Sequence, residues 1–264
     1  MINTKDLFSL DGRVAIVTGG RGMYGTSITL GLCEMGATVV IASRNVEKCE
    51  EYAKELRAQG YNACGMSLDL GSDESINTLV QNVIDRFGKI DILVNNAVDR
   101  SNLTGFIGAD REKLQKSMST NLNGQIVLAQ AVAVRMKKNG KGSIINVSSM
   151  RGIDCPHFPY YPRETRDGGV NYTTEKWAMI GLTKYMAGLL GEDHIRVNSI
   201  APGGYNPDMS KINPDFRKIY EENCPLHCWA TEDDIKGPIA FLASDASNYV
   251  TGETLVMDGG WTIW

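Results

Sequence analysis

Tyr172 and Lys176 stand four residues apart, one helical turn, so on a helix the ammonium shares a face with the phenol. Of the ten tyrosines, Tyr172 is the only one with a lysine at that spacing. A phenol with a pKa of ~10 is a poor base near neutrality, and a neighbouring cation stabilises the phenolate and brings proton transfer into the working range. Far upstream, Thr18-Gly19-Gly20-Arg21-Gly22-Met23-Tyr24-Gly25 follows the apolar run Val14 to Val17 and precedes a helical pattern. Glycines between a strand and a helix let the main chain approach a pyrophosphate held at the helix N-terminus. Asp69 closes a third apolar run, where a carboxylate can accept a hydrogen bond from an adenine amino group. The chemistry on offer is proton transfer beside a bound nucleotide.

These residues have to be positioned by the alternation around them. Strands are predicted over Val14 to Val17, Ala37 to Ala42, Asn62 to Leu68, Ile90 to Val94, Ser143 to Val147, Arg196 to Ile200 and Thr254 to Val256. Helices are predicted between them: from the glycine turn to Gly36, Asn45 to Gln59, Ser72 to Phe87, one long helix from Asp110 to Lys138, Tyr172 to Leu190, and one opening at Thr231-Glu-Asp-Asp. Strands alternating with helices of this length imply right-handed crossovers and a parallel sheet with helices on both faces. The expected fold is therefore α/β, a single Rossmann-like, doubly wound domain spanning residues 1–264. Two irregular stretches, about 151–169 and 203–228, each follow a strand and are the expected substrate walls, because ligands of such sheets sit at the carboxyl ends of the strands.

Composition removes several classes of function. The chain of 264 residues carries 27 Lys and Arg against 31 Asp and Glu, a net charge of −4, which offers nothing to nucleic acid. With 42% hydrophobic and 22% charged residues, it is globular rather than disordered. No stretch approaches the ~18 consecutive apolar residues of a membrane span. The opening Met-Ile-Asn-Thr-Lys-Asp lacks the parts of a signal peptide, so a cytoplasmic protein without a membrane partner is expected. Six cysteines are too sparse for a disulfide scaffold and are read as free thiols. Cys224 and Cys228 flank His227, and Cys155 lies near His157, but no second Cys-x-x-Cys pair completes a zinc set, and no metal is expected.

Taken in order, these segments resemble the short-chain dehydrogenase/reductase family over nearly the whole chain. The collinear matches are the turn at 18–25, Asp69-Leu70, Asn95-Asn96-Ala97, Asn121, Ser148-Ser149, Tyr172 with Lys176, Arg196 through Gly203, and Thr251-Gly252 through Asp258-Gly-Gly260. The resemblance implies an oxidoreductase in which Tyr172 is the general acid/base, Lys176 lowers its pKa and holds the nicotinamide ribose, Ser149 polarises the substrate oxygen and Asn121 anchors a relay water. It implies a cofactor lining of Gly19, Arg21, Gly22, Met23, Gly25, Ser43, Arg44, Asp69, Leu70, Asn96, Ala97, Tyr172, Lys176, Pro202 and Gly203, and a homodimer or homotetramer. Plainer roles compete: a turn hydroxyl for Ser149, a buried amide for Asn121, a surface residue for Lys176. Two departures stand out. Met23 occupies a place the family gives to glycine, with Gly22 just before it, which leaves a turn re-registered by one residue as an expectation. Val98 replaces the glycine that usually follows Asn-Asn-Ala.

The second strand ends in Ser43-Arg44-Asn45 with no acidic residue beside it. A guanidinium there suits a 2′-phosphate, so NADP(H) is favoured over NAD(H). Between Ser149 and Tyr172 the chain is about ten residues longer than is common in the family, and the extra segment holds Arg151, His157, Tyr160, Tyr161, Arg163 and Arg166. Such a polar, aromatic wall suits a small-molecule substrate that is hydroxylated or anionic, a sugar, sugar acid, polyol or sugar nucleotide, with Arg163 or Arg166 as the expected grip on an anion. The long insertion, Pro202-Gly-Gly204 and the ending Asp258-Gly-Gly-Trp261-Thr-Ile-Trp264 resemble a branch that includes gluconate 5-dehydrogenase-like and sugar-modifying oxidoreductases. The competing reading is a non-catalytic nucleotide-binding protein of the same fold.

Overall fold

The computed structural model describes residues 1–161, 163 and 166–263. Seven strands form one parallel sheet: β1 (Val14–Thr18), β2 (Thr38–Ser43), β3 (Ala63–Ser67), β4 (Ile92–Asn95), β5 (Gly142–Val147), β6 (Ile195–Pro202) and β7 (Thr254–Met257). Their spatial order is β3-β2-β1-β4-β5-β6-β7. Strand β1 is buried throughout and lies between two partners, with Val17 level with Ile41 on one side and Val94 on the other. A strand covered on both faces has no reason to alternate in polarity, which is why it reads as an unbroken apolar run.

Nine α-helices accompany the sheet among the described residues: α1 (Thr4–Leu7), α2 (Met23–Glu34), α3 (Val46–Ala58), α4 (Asp73–Phe87), α5 (Arg111–Met118), α6 (Gly124–Asn139), α7 (Val170–Leu190), α8 (Pro214–Asn223) and α9 (Lys236–Ala243). On one face, Val14 and Ile16 of β1 pack with Leu79 and Val83 of α4, Leu128 and Val132 of α6, and Met186 of α7. On the other, Ala15 and Val17 pack with Ile28 and Leu32 of α2, Leu56 of α3 and Ile239 of α9. This is the doubly wound arrangement expected. The chain leaves β1 toward β2 and β3, then returns to β4 on the other side of β1, so the crevice of the sheet opens above the carboxyl ends of β1 and β4.

Three local readings change. The long helix predicted from Asp110 to Lys138 is α5 and α6 joined by a π-helical turn, Ser119–Asn123, and such insertions mark places where a helix is bent for function. The stretch 203–228 is less irregular than predicted, because it contains α8. Asn213 accepts hydrogen bonds from the amides of Asp215 and Phe216, Pro214 fills the first helical position, and Arg217 pairs with Glu221 one turn on at 2.8 Å. Thr231-Glu-Asp-Asp does not open a helix. Asp234 instead accepts from the Thr231 amide and hydroxyl at 2.6 and 2.8 Å, closing a turn, and α9 begins at Lys236.

Candidate active site

A cleft of about 760 Å³ lies at the carboxyl ends of the strands. Its outer part is the glycine turn. Gly19 has φ +61°, open to glycine at little cost, and the Gly22 amide closes the turn onto the Gly19 carbonyl at 2.8 Å. Gly22 caps α2 with no side-chain hydrogen bond, so the N–H groups of the first helical turn are open to a ligand. Met23 is the first residue of α2 and 42% exposed, so the helix starts on the methionine and Gly22 is the last residue of the turn. The predicted cofactor residues all border the cleft except Gly25, which lies beneath it: a Cβ there would stand 2.1 Å from the Gly19 carbonyl oxygen. Asn96 ties the turn to β4 through its side-chain amide, which donates to the carbonyls of Thr18 and Gly19 at 3.0 and 3.1 Å.

Arg44 is not without an acid, as the local sequence suggested. The loop after β4 brings Asp99 to it at 3.2 Å, and Arg21 pairs likewise with Glu51 at 3.4 Å. Hydrogen bonds from Ser101, with the Arg44 charge, hold the Asp99 carboxyl below the usual carboxylate range. Asp69 accepts from the Gly71 amide at 2.9 Å, and Val98 borders the cleft half-buried.

The inner part holds the four predicted catalytic residues. Lys176 is buried, and its ammonium donates to the Val147 carbonyl at the end of β5 at 2.7 Å and lies 5.6 Å from the centre of the Tyr172 ring. The turn after β5 is pressed against α7: Ser148 donates to the Lys176 carbonyl at 2.8 Å, and a Cβ on Gly152 would meet that same oxygen at 2.6 Å. Burial opposes ionisation of Tyr172, but the charges of Lys176 and Arg100 and a hydrogen bond with Ser149 outweigh it and hold the phenol below the ordinary tyrosine value. Burial likewise pushes the Lys176 ammonium below its ordinary pKa, against the opposing effect of Tyr172.

Asn121 sits in the π-helical turn and is fully engaged. Its carbonyl accepts from the Asp99 amide at 2.7 Å, and its NH₂ donates to the Asp99 carbonyl at 2.8 Å and to Glu175 at 3.0 Å. Ser117 donates to the same buried carboxylate at 2.6 Å. Sequence reasoning missed Glu175 and Arg100. Arg100 places a guanidinium nitrogen 3.4 Å from the Tyr172 hydroxyl. Neither carries a motif, because the contacts arise only in the folded chain: Arg100 when the loop after β4 meets α7, Glu175 when α5 and the π-helical turn do.

Across the cleft stands an aromatic wall. Tyr161 lies 5.0 Å from Phe216, Phe216 6.1 Å from Trp229 and Trp229 4.4 Å from Tyr220, ring centre to ring centre. Arg151, only 8% exposed, points its guanidinium at the Tyr161 hydroxyl and the Cys155 carbonyl. Thus the insertion does border the cleft, through Arg151 and Tyr161. Arg163 and Arg166, the predicted anion grip, are exposed and lie outside the lining. The returning limb is tied elsewhere: the Asp167 carboxylate accepts from the amides of Phe106 and Ile107 at 2.7 and 2.8 Å. Among the described residues, no cluster of three His, Cys, Asp or Glu side chains could hold a metal, and no helix is long and apolar enough to cross a membrane.

A family model described as enoyl-(acyl carrier protein) reductase matches residues 21–262. Gluconate 5-dehydrogenase of Gluconobacter oxydans (strain 621H) is 33% identical over 263 residues, covering 98% of each chain. The 7alpha-hydroxysteroid dehydrogenase of Bacteroides fragilis is 32% identical over 257 residues, 96% of this chain and 95% of that one. Among solved structures, a gluconate 5-dehydrogenase from Burkholderia cenocepacia J2315 in complex with NADP and tartrate superposes with a TM-score of 0.89 at 33% identity, covering 99% and 100% of the two chains. The chain belongs to the short-chain dehydrogenase/reductase family and is an oxidoreductase.

Proposed function

We propose that this oxidoreductase uses NADP(H) to interconvert an alcohol and a carbonyl on a polyhydroxylated substrate, a sugar acid, sugar or polyol, with Tyr172 as general acid/base. The observation that carries the reading is the placement of the Tyr172 phenol between two cations and Ser149, at the inner end of a cleft whose outer end is the glycine turn. The residues fit the cofactor: Gly25 clears space under the turn, α2 presents free N–H groups, and Arg44 offers a guanidinium where a 2′-phosphate would lie. The gluconate 5-dehydrogenases among the relatives, one of them in complex with NADP, support the cofactor and the sugar-acid class.

When bound, the nicotinamide supplies or accepts the hydride. In oxidation, the Tyr172 phenolate takes the proton of the substrate hydroxyl while Lys176 and Arg100 offset its charge, and in reduction the phenol returns it. Ser149, beside the same hydroxyl, donates to the substrate oxygen and favours the polarised carbonyl. Asn121, its side chain already spoken for, fixes the loop that carries Arg100 in place against α7. A turnover screen of sugar acids, sugars and polyols with NADP⁺ and NAD⁺ tests the reading. Tight NADPH binding without turnover of any of them would instead leave a nucleotide-binding protein.

A further inference from the structure

Four arginines border the cleft, and two of them pair with carboxylates, Arg21 with Glu51 and Arg44 with Asp99, while Arg100, exposed, lies against Tyr172. The fourth, Arg151, is the most buried of them and has no carboxylate partner among the described residues. Its only side-chain partners there are two neutral oxygens, on Tyr161 and Cys155. A guanidinium carries five N–H donors and cannot shed its charge, so burying it without a counter-ion is costly unless an anion completes the site. The guanidinium lies 5.6 Å from the centre of the Tyr161 ring, which continues into Phe216, and burial at this end of the cleft strengthens any ionic contact made there. Its place in the chain matters as well. Arg151 follows Ser149 by two residues, and its amide donates to the Ser149 hydroxyl at 3.2 Å.

We propose that Arg151 is an anion subsite of the cleft, binding a carboxylate of the substrate by a bidentate hydrogen bond and so selecting hydroxy acids over neutral polyols. The proposal rests on reading the cleft as an oxidoreductase site. The planar fork of the guanidinium matches a carboxylate, and Tyr161 holds the fork in orientation before the ligand arrives.

The test compares D-gluconate with D-sorbitol, which replaces the carboxylate by a hydroxymethyl group. Binding to the NADP⁺-loaded protein is followed by calorimetry, and turnover is measured alongside. The wild type should bind gluconate at least tenfold tighter than sorbitol. Arg151→Met should erase that preference by weakening gluconate tenfold or more, while sorbitol and NADP⁺ change less than twofold; Arg151→Lys should restore part of it. Equal loss for both ligands, or loss of NADP⁺ binding, would make Arg151 a support of the insertion and overturn the proposal. So would a retained preference, or no gluconate binding by the wild type. If gluconate binds through Arg151 but is not oxidised, the subsite stands and the reading as a sugar-acid dehydrogenase falls.

Discussion

The guanidinium of Arg100 lies 5.0 Å from the centre of the Tyr172 ring and 3.4 Å from its hydroxyl, so the phenol is flanked by a second cation besides Lys176. The two cations come from different elements, Lys176 from one turn along α7 and Arg100 from the loop after β4. Both lower the phenol against the effect of burial.

Because a cation stabilises phenolate, removing Arg100 must raise the Tyr172 pKa. In Arg100→Met the alkaline-activating limb of the kcat/KM profile for alcohol oxidation should move to higher pH, and activity near neutrality should fall. Lys176→Met should move the same limb in the same direction. An unmoved limb in both variants would assign proton transfer to another group.

Proton transfer needs the phenol, whereas cofactor binding does not. Tyr172→Phe should lose turnover by ~10²-fold or more while NADPH affinity, read by fluorescence titration, stays near that of the wild type. Near-normal turnover would remove Tyr172 from its assigned role.

On the proposed reading, in which Arg44 holds the 2′-phosphate, the Arg44–Asp99 pair makes cofactor choice a competition between a carboxylate and a phosphate for one guanidinium. Arg44→Asp should cost NADP(H) about 2 to 4 kcal/mol and NAD(H) much less. Asp99→Asn, by freeing Arg44, should tighten NADP(H) binding relative to NAD(H). Equal changes for both cofactors in these variants would make Arg44 structural.

Two glycines should respond oppositely to alanine. In Gly25→Ala the new Cβ would overlap the Gly19 carbonyl, so the turn must deform, costing about 1 to 3 kcal/mol in denaturant unfolding and weakening cofactor binding. Gly181, exposed within α7 with open space around its Cβ position, should gain about 0.5 to 1 kcal/mol as Gly181→Ala, with binding unchanged. A tolerant Gly25→Ala would mean that the turn is looser than described.

Local pattern carried the strands, most helices and the Tyr172–Lys176 pair, because each depends on residues within a few turns of one another. The readings that changed depend on distance or on competition. Asp234 reads as a helix-opening acid until it is seen closing a turn onto Thr231. Helix α8 had its own signals in Asn213-Pro214-Asp215, hidden by the prolines and glycines around it. Arg100 and Arg151 could not be told from the other arginines, since β4 and β5 must first pair side by side to bring their following loops to one cleft. Arg163 and Arg166 lie in the same insertion as Arg151, yet only Arg151 reaches the lining.

Asp99 and Arg100 are neighbours in the chain, and they address the two ends of the cleft: Asp99 holds Arg44, Arg100 faces Tyr172, and the main chain of Asp99 is clasped by Asn121. A phosphate that takes Arg44 from Asp99 therefore releases a restraint on the neighbour that, with Lys176, sets the charge around the phenol. Thermodynamic linkage then requires the dinucleotide and the substrate to alter each other's affinity by one common factor, and Asp99→Asn, which removes the restraint beforehand, should bring that factor toward unity.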